Sequence, residues 1–80
     1  MFVQVKLYAT LRKFAPDDVE LGKAFPVEIE VATINGILSK LGIGIEQAKI
    51  IMVNGIRITN LNHKVSSDDV IVIFPPVGGG

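Results

Sequence analysis

Eighty residues, a formal net charge of zero, no cysteine and one histidine, His63, set narrow limits. A chain this short forms one small domain, burying only about 60% of its unfolded surface, and it can have no disulfide, tetrahedral zinc site, cysteine-ligated iron–sulfur cluster or cysteine nucleophile. Eight basic residues balance eight acidic ones, five against five in residues 1–40 and three against three in 41–80, so the basic excess of a nucleic-acid binder is missing and no nucleic-acid partner is expected.

No apolar run approaches the ~20 residues of a bilayer span. Polar Gln4 and Lys6 interrupt the N-terminal apolar stretch, so neither membrane attachment nor a signal peptide is expected, and the cytoplasm is the expected compartment. Eleven isoleucines and ten valines outnumber six leucines. That excess of β-branched side chains favours pleated strands.

Phe2 to Tyr8 alternates, with Val3, Val5 and Leu7 on one face and Phe2, Gln4, Lys6 and Tyr8 on the other, which predicts a half-buried strand. Ala9 to Ala15 has helical composition but is too short to be stable alone, and Pro16-Asp17-Asp18 reads as a turn. A second strand is predicted from Phe25 to Val31, with Phe25, Val27, Ile29 and Val31 inward and Glu28 and Glu30 outward. Pro26 puts it at a sheet edge or marks the strand's start, because proline has no N–H for a ladder.

Thr33 is a predicted N-cap, followed by Ile34, Ile37, Leu38 and Leu41 on one helical face. Gly36 inside that helix costs about 1 kcal/mol against alanine, and Gly42 is the expected left-handed stop. Ile50–Val53 and Ile56–Ile58 flank Asn54-Gly55, a dipeptide suited to a type I′ hairpin turn. Ser67-Asp68-Asp69 reads as another turn. Val70 to Phe74, apolar throughout, reads as a central strand covered by the helix on at least one face.

This order predicts an α+β domain, with one main helix packed on a mixed sheet of four to five strands and the last strand beside the first. That is the β-grasp, or ubiquitin-like, arrangement. The expected division is a domain over residues 1–76 and a flexible glycine tail over 77–80.

The tail carries the chemistry. Pro75-Pro76 ends the last strand and stiffens its exit, and Val77 leads into Gly78-Gly79-Gly80. Glycines without Cβ atoms can thread a narrow channel in another protein. The reactive group would be the α-carboxylate of Gly80, a poor electrophile that a partner must activate, for example as an acyl-adenylate. A frayed end or a cloning scar is the plain alternative.

Val5 to Arg12 (Val-Lys-Leu-Tyr-Ala-Thr-Leu-Arg), Val53-Asn54-Gly55 and the closing Ile-Phe-Pro-Pro-Val-Gly-Gly-Gly resemble the molybdopterin synthase small subunit (MoaD-like) family. The resemblance spans the whole chain, and the Phe-Pro-Pro-Val-x-Gly-Gly ending, with Gly78 as the variable position, is its most specific part. It implies a sulfur carrier, a protein cosubstrate rather than an enzyme, that needs no cofactor of its own. In the family the residue matching Gly80 is adenylated by a ubiquitin-activating-type adenylyltransferase and converted to a thiocarboxylate. The tail then enters the large subunit of molybdopterin synthase, where catalysis resides, and gives its sulfur to the dithiolene of molybdopterin.

The resemblance further implies that Gly79 and Gly80 thread that active site while Phe74, Pro75, Pro76 and Val77 dock at its mouth. Arg12 matches a position that contacts the activating enzyme. Tyr8 and Phe74 match an apolar patch on the sheet that meets both partners. Arg57 departs from the pattern, standing where the family often has an apolar residue. Related carriers for thiamine or cysteine synthesis and ubiquitin-like protein modifiers share the glycine ending and are the alternative readings; an interaction module with an inert tail is the third.

Each residue also has a plain structural reading. Tyr8 fits a half-exposed strand tyrosine, Arg57 a solvated hairpin face, His63 a loop, and Asp68-Asp69 a turn. A lone histidine cannot hold a metal, and no metal site is expected.

Overall fold

The computed structural model describes residues 1–20 and 22–76. Strands β1 (Phe2–Leu7), β2 (Phe25–Glu28), β3 (Ile50–Val53), β4 (Ile56–Ile58) and β5 (Val70–Phe74) form one mixed sheet in the order β2-β1-β5-β3-β4, with helix α1 (Ile34–Leu41) packed against it. The parallel pair β1–β5 lies at the centre, and the other neighbours are antiparallel. This is the β-grasp arrangement expected from the sequence. β5 is central because its side chains are apolar on both faces, whereas Pro26 sits on edge strand β2.

Alternation sorts the strands into two faces. Val3, Val5 and Leu7 of β1, Ile51 and Val53 of β3, and Ile71 and Ile73 of β5 are buried against Ile34, Ile37 and Leu38 of α1. Leu41, expected in the core, is half-buried at the helix end. Full burial of one such aliphatic side chain contributes about 1.5–3 kcal/mol. A core of this composition therefore replaces the cross-links the chain lacks.

Local chemistry ends each element. The Thr33 hydroxyl accepts from the N–H of Gly36 at 3.1 Å, and Gly42, at φ 78°, closes α1. The N–H groups of Ile34 and Asn35, which have no partner within the helix, donate to the carbonyls of His63 and Leu61. Asn54 (φ 51°) and Gly55 (φ 84°) make the left-handed hairpin turn. The Asn54 Oδ1 accepts from the N–H of Val70 at 2.9 Å and its Nδ2 donates to Asp69 at 3.0 Å, tying the hairpin to the start of β5.

Two expectations about the strands are corrected. β2 stops at Glu28, and Val31 is 60% exposed rather than inward. The alternation continues through buried Ile29, but the chain then bends, and the Val31 carbonyl accepts from the N–H of Thr33 at 2.9 Å instead of extending the ladder. β1 stops at Leu7, one residue before Tyr8. Residues Ala9–Phe14 form a 3-10 helix, anchored by buried Leu11, so tertiary packing supplies what the segment's length could not. Among the described residues no helix is long and apolar enough to cross a membrane.

Candidate functional site

The proposed reactive residues Gly79 and Gly80, with Val77 and Gly78, lie outside the described residues. The structure does describe where β5 delivers the chain to them. Phe74 is the last residue of β5, Pro75 is half-buried and Pro76 is exposed. The parallel register that sets Leu7 opposite Ile73 brings Tyr8 beside Phe74, and the two rings stack with centroids 4.8 Å apart and planes 15° from parallel. The N–H of Lys49, the residue before β3, donates to the Phe74 carbonyl at 2.9 Å, fixing the same point from the other side.

Tyr8 and Phe74 belong to the sheet face turned away from α1. The half-buried residues Ile50, Met52, Val70 and Val72 share it, because Ile50 is opposite Phe74 and Met52 opposite Val72. The sequence reading pointed to an apolar patch through Tyr8 and Phe74 but did not name these four. Alternation along β3 and β5 was the available signal; the cross-strand register was not. The two rings and four aliphatic side chains form a continuous apolar surface at the root of the terminal segment, suited to docking against another protein.

The remaining residues are not gathered at this point. Arg57 is exposed on β4 opposite Met52, on the same face but two strands from β5. Its plain reading as a hairpin residue holds geometrically, yet its side chain borders the apolar surface. Arg12 is exposed on the 3-10 helix after β1 and lines a separate cleft with Lys13, Asp17, Glu20 and Lys23. His63 is half-buried, and its carbonyl serves the start of α1.

Asp69 shows the one clear electrostatic perturbation among the described residues. The N–H of Ser66 donates to its Oδ2 at 2.8 Å and Asn54 donates to its Oδ1, which together hold the carboxyl below its ordinary value. Those bonds close a turn and steady the base of β5. No group of three or more His, Asp or Glu residues among the described residues could hold a metal ion.

Residues 5–80 match the model of the ThiS family. No curated protein matches the chain. Among solved structures, it is similar to small archaeal modifier protein 1 of Haloferax volcanii, at 19% identity over 95% of this chain and 98% of that one, with a TM-score of 0.67. It is also similar to a chain in the complex of subunits 1 and 2 of molybdopterin-converting factor from Helicobacter pylori 26695, at 23% identity over 100% of both chains, with a TM-score of 0.61. At these identities the likeness establishes the shared fold.

Proposed function

The chain belongs to the ThiS family, a group of ubiquitin-like sulfur carriers and modifiers, and from that premise we propose that it is the sulfur-carrying small subunit of molybdopterin synthase. Residues 1–76 act as the docking domain and 77–80 as the reactive arm. A carboxylate oxygen of Gly80 attacks the α-phosphorus of ATP on a ubiquitin-activating-type adenylyltransferase, and pyrophosphate leaves. A sulfide-level sulfur atom then displaces AMP, leaving a thiocarboxylate. The arm enters the large synthase subunit, which catalyses transfer of that sulfur to the pterin. Under this reading the exchange runs in the cytoplasm and the carrier needs no cofactor.

The observation that carries the reading is the position of the Tyr8–Phe74 stack. It sits at the end of β5, on an open apolar face and directly before Pro75-Pro76. A partner seated on that face would receive the chain from Pro75 onward. Phe74, Pro75, Pro76 and Val77 then line the mouth of the partner's channel, with Gly78, Gly79 and Gly80 inside it. Arg12, on its separate cleft, serves the encounter with the activating enzyme.

The test is intact mass after incubation with the activating enzyme, ATP and a sulfur donor. A gain equal to replacing one oxygen by sulfur, localised to the terminal peptide, is the expected result. An unchanged mass with an enzyme demonstrably active on another carrier would defeat the reading. A ladder of conjugates that resists thiol reagents would instead make the chain a protein modifier, with Gly80 joined to lysine amines.

A further inference from the structure

The docking face has a charge pattern that the chain's zero net charge conceals. The register sets Lys6 opposite Val72, Val72 opposite Met52, and Met52 opposite Arg57. One row across four adjacent strands therefore reads cation, apolar, apolar, cation. Three strand spacings put the two cationic positions roughly 14 Å apart. Lys6 is half-buried, so part of its stem lies on the sheet while its ammonium group reaches water; Arg57 is exposed.

The positions flanking the row on this face are uncharged: Gln4 on β1 and Tyr8 just after it, Val70 and Phe74 on β5, and Ile50 on β3. No acidic side chain stands in this row. Asp68 and Asp69 are in the turn before β5 and Glu46 follows α1, while Glu28 on edge strand β2, paired with Phe2, shares the open face but at its far edge, four residues along β1 from Lys6. The apolar strip is thus bracketed by two positive charges without an acidic residue between them.

We propose that this face selects a partner whose docking surface presents an apolar ridge flanked by carboxylates, one meeting Lys6 and the other Arg57. The proposal rests on the carrier reading above and adds what that reading leaves open, the charge chemistry of the surface that receives the carrier. Charge pairs at such a rim act mainly on partner choice and encounter rate, and salt weakens them. A partner with a basic rim meets repulsion at both ends of the row.

The experiment is calorimetric titration of the full chain with the large synthase subunit from the same organism, at low and at high salt. Arg57→Glu and the double variant Lys6→Glu/Arg57→Glu are compared with the wild type. The double variant is expected to bind at least about tenfold more weakly at low salt, with the gap narrowing as salt rises. Arg57→Lys should stay near wild type. Thermal unfolding checks that the fold is intact, and Arg57→Glu, at an exposed position, keeps the test available if Lys6→Glu disturbs the sheet.

Wild-type binding with no loss in Arg57→Glu or the double variant overturns the charge proposal and leaves the carrier reading standing. A loss equal at all salt concentrations also overturns it, because it would report packing rather than charge. No binding of the wild type, with the large subunit shown to be competent, removes the synthase assignment and this proposal together.

Discussion

The rings of Tyr8 and Phe74 stack 4.8 Å apart and join the end of β1 to the end of β5 where the chain passes into Pro75-Pro76. Both residues are half-buried, so the contact strengthens the sheet without belonging to its sealed core. Aromatic pairs of this geometry contribute about 0.5–1.5 kcal/mol beyond the area they cover. A double-mutant cycle with Tyr8→Ala and Phe74→Ala, followed by urea unfolding, should return a coupling in that range. Additive losses would mean that the rings only happen to be neighbours.

Gly36 is expected to defy helix propensity. Replacing a helical glycine by alanine ordinarily stabilises by about 1 kcal/mol. Here a Cβ on Gly36 would run into the backbone carbonyl of Val31, whose position is fixed by its hydrogen bond to Thr33. Gly36→Ala should therefore destabilise the protein, by about 1–3 kcal/mol if the strain resembles overpacking. Ser39→Ala, exposed on the same helix, should be neutral or slightly stabilising. A higher urea midpoint for Gly36→Ala would show that the bend at Val31 yields.

The same bend shows where local reading stops. Strand alternation, the Thr33 and Gly42 caps and the Asn54-Gly55 turn were legible because each is set by a few neighbouring residues. The central place of β5 was legible from its two apolar faces and the length of chain before it. Val31 continues the inward alternation of Phe25, Val27 and Ile29, and nothing local says that it turns outward. Its exposure follows from the approach of the bend to α1 at Gly36, a tertiary event. The row Lys6–Val72–Met52–Arg57 was hidden for a similar reason, since it depends on register between distant segments. Ala9, at φ 52°, has no turn-forming side chain to announce it; the reversal from β1 into the 3-10 helix imposes that conformation.

Asp69 gives the fold an acid-sensitive joint. Its folded-state carboxyl titrates below the ordinary 3.8, because the charged form accepts hydrogen bonds from Ser66 and Asn54. The unfolded chain thus binds the proton more readily. The resulting stabilisation is present above pH 3.8 and is lost as pH falls through that value toward the folded-state value. Asp69→Asn should be less stable than wild type at neutral pH, and the difference should shrink on acidification through this window. Urea midpoints across the acid range measure it, and a constant gap would mean that the charge of Asp69 contributes nothing.

The role proposed for Gly80 separates function from stability most sharply. Among the described residues the buried core ends at Ile73, and the last ring contact is made by Phe74. Deleting Gly80, or adding one residue after it, should therefore leave the unfolding temperature unchanged. Under the proposed carrier role, adenylation still has a carboxylate to work on in either variant, but the acyl carbon would sit one residue out of place in a partner channel fitted to the arm. Enzymes lose about 10²-fold in rate for misplacements near 1 Å, and one extended residue shifts the reacting atom by about 3.3–3.6 Å. Sulfur transfer to the pterin should fall to background in both variants, read as loss of product with the purified synthase. Full transfer by an untrimmed, extended chain would show that the sulfur is not carried at the carboxyl terminus.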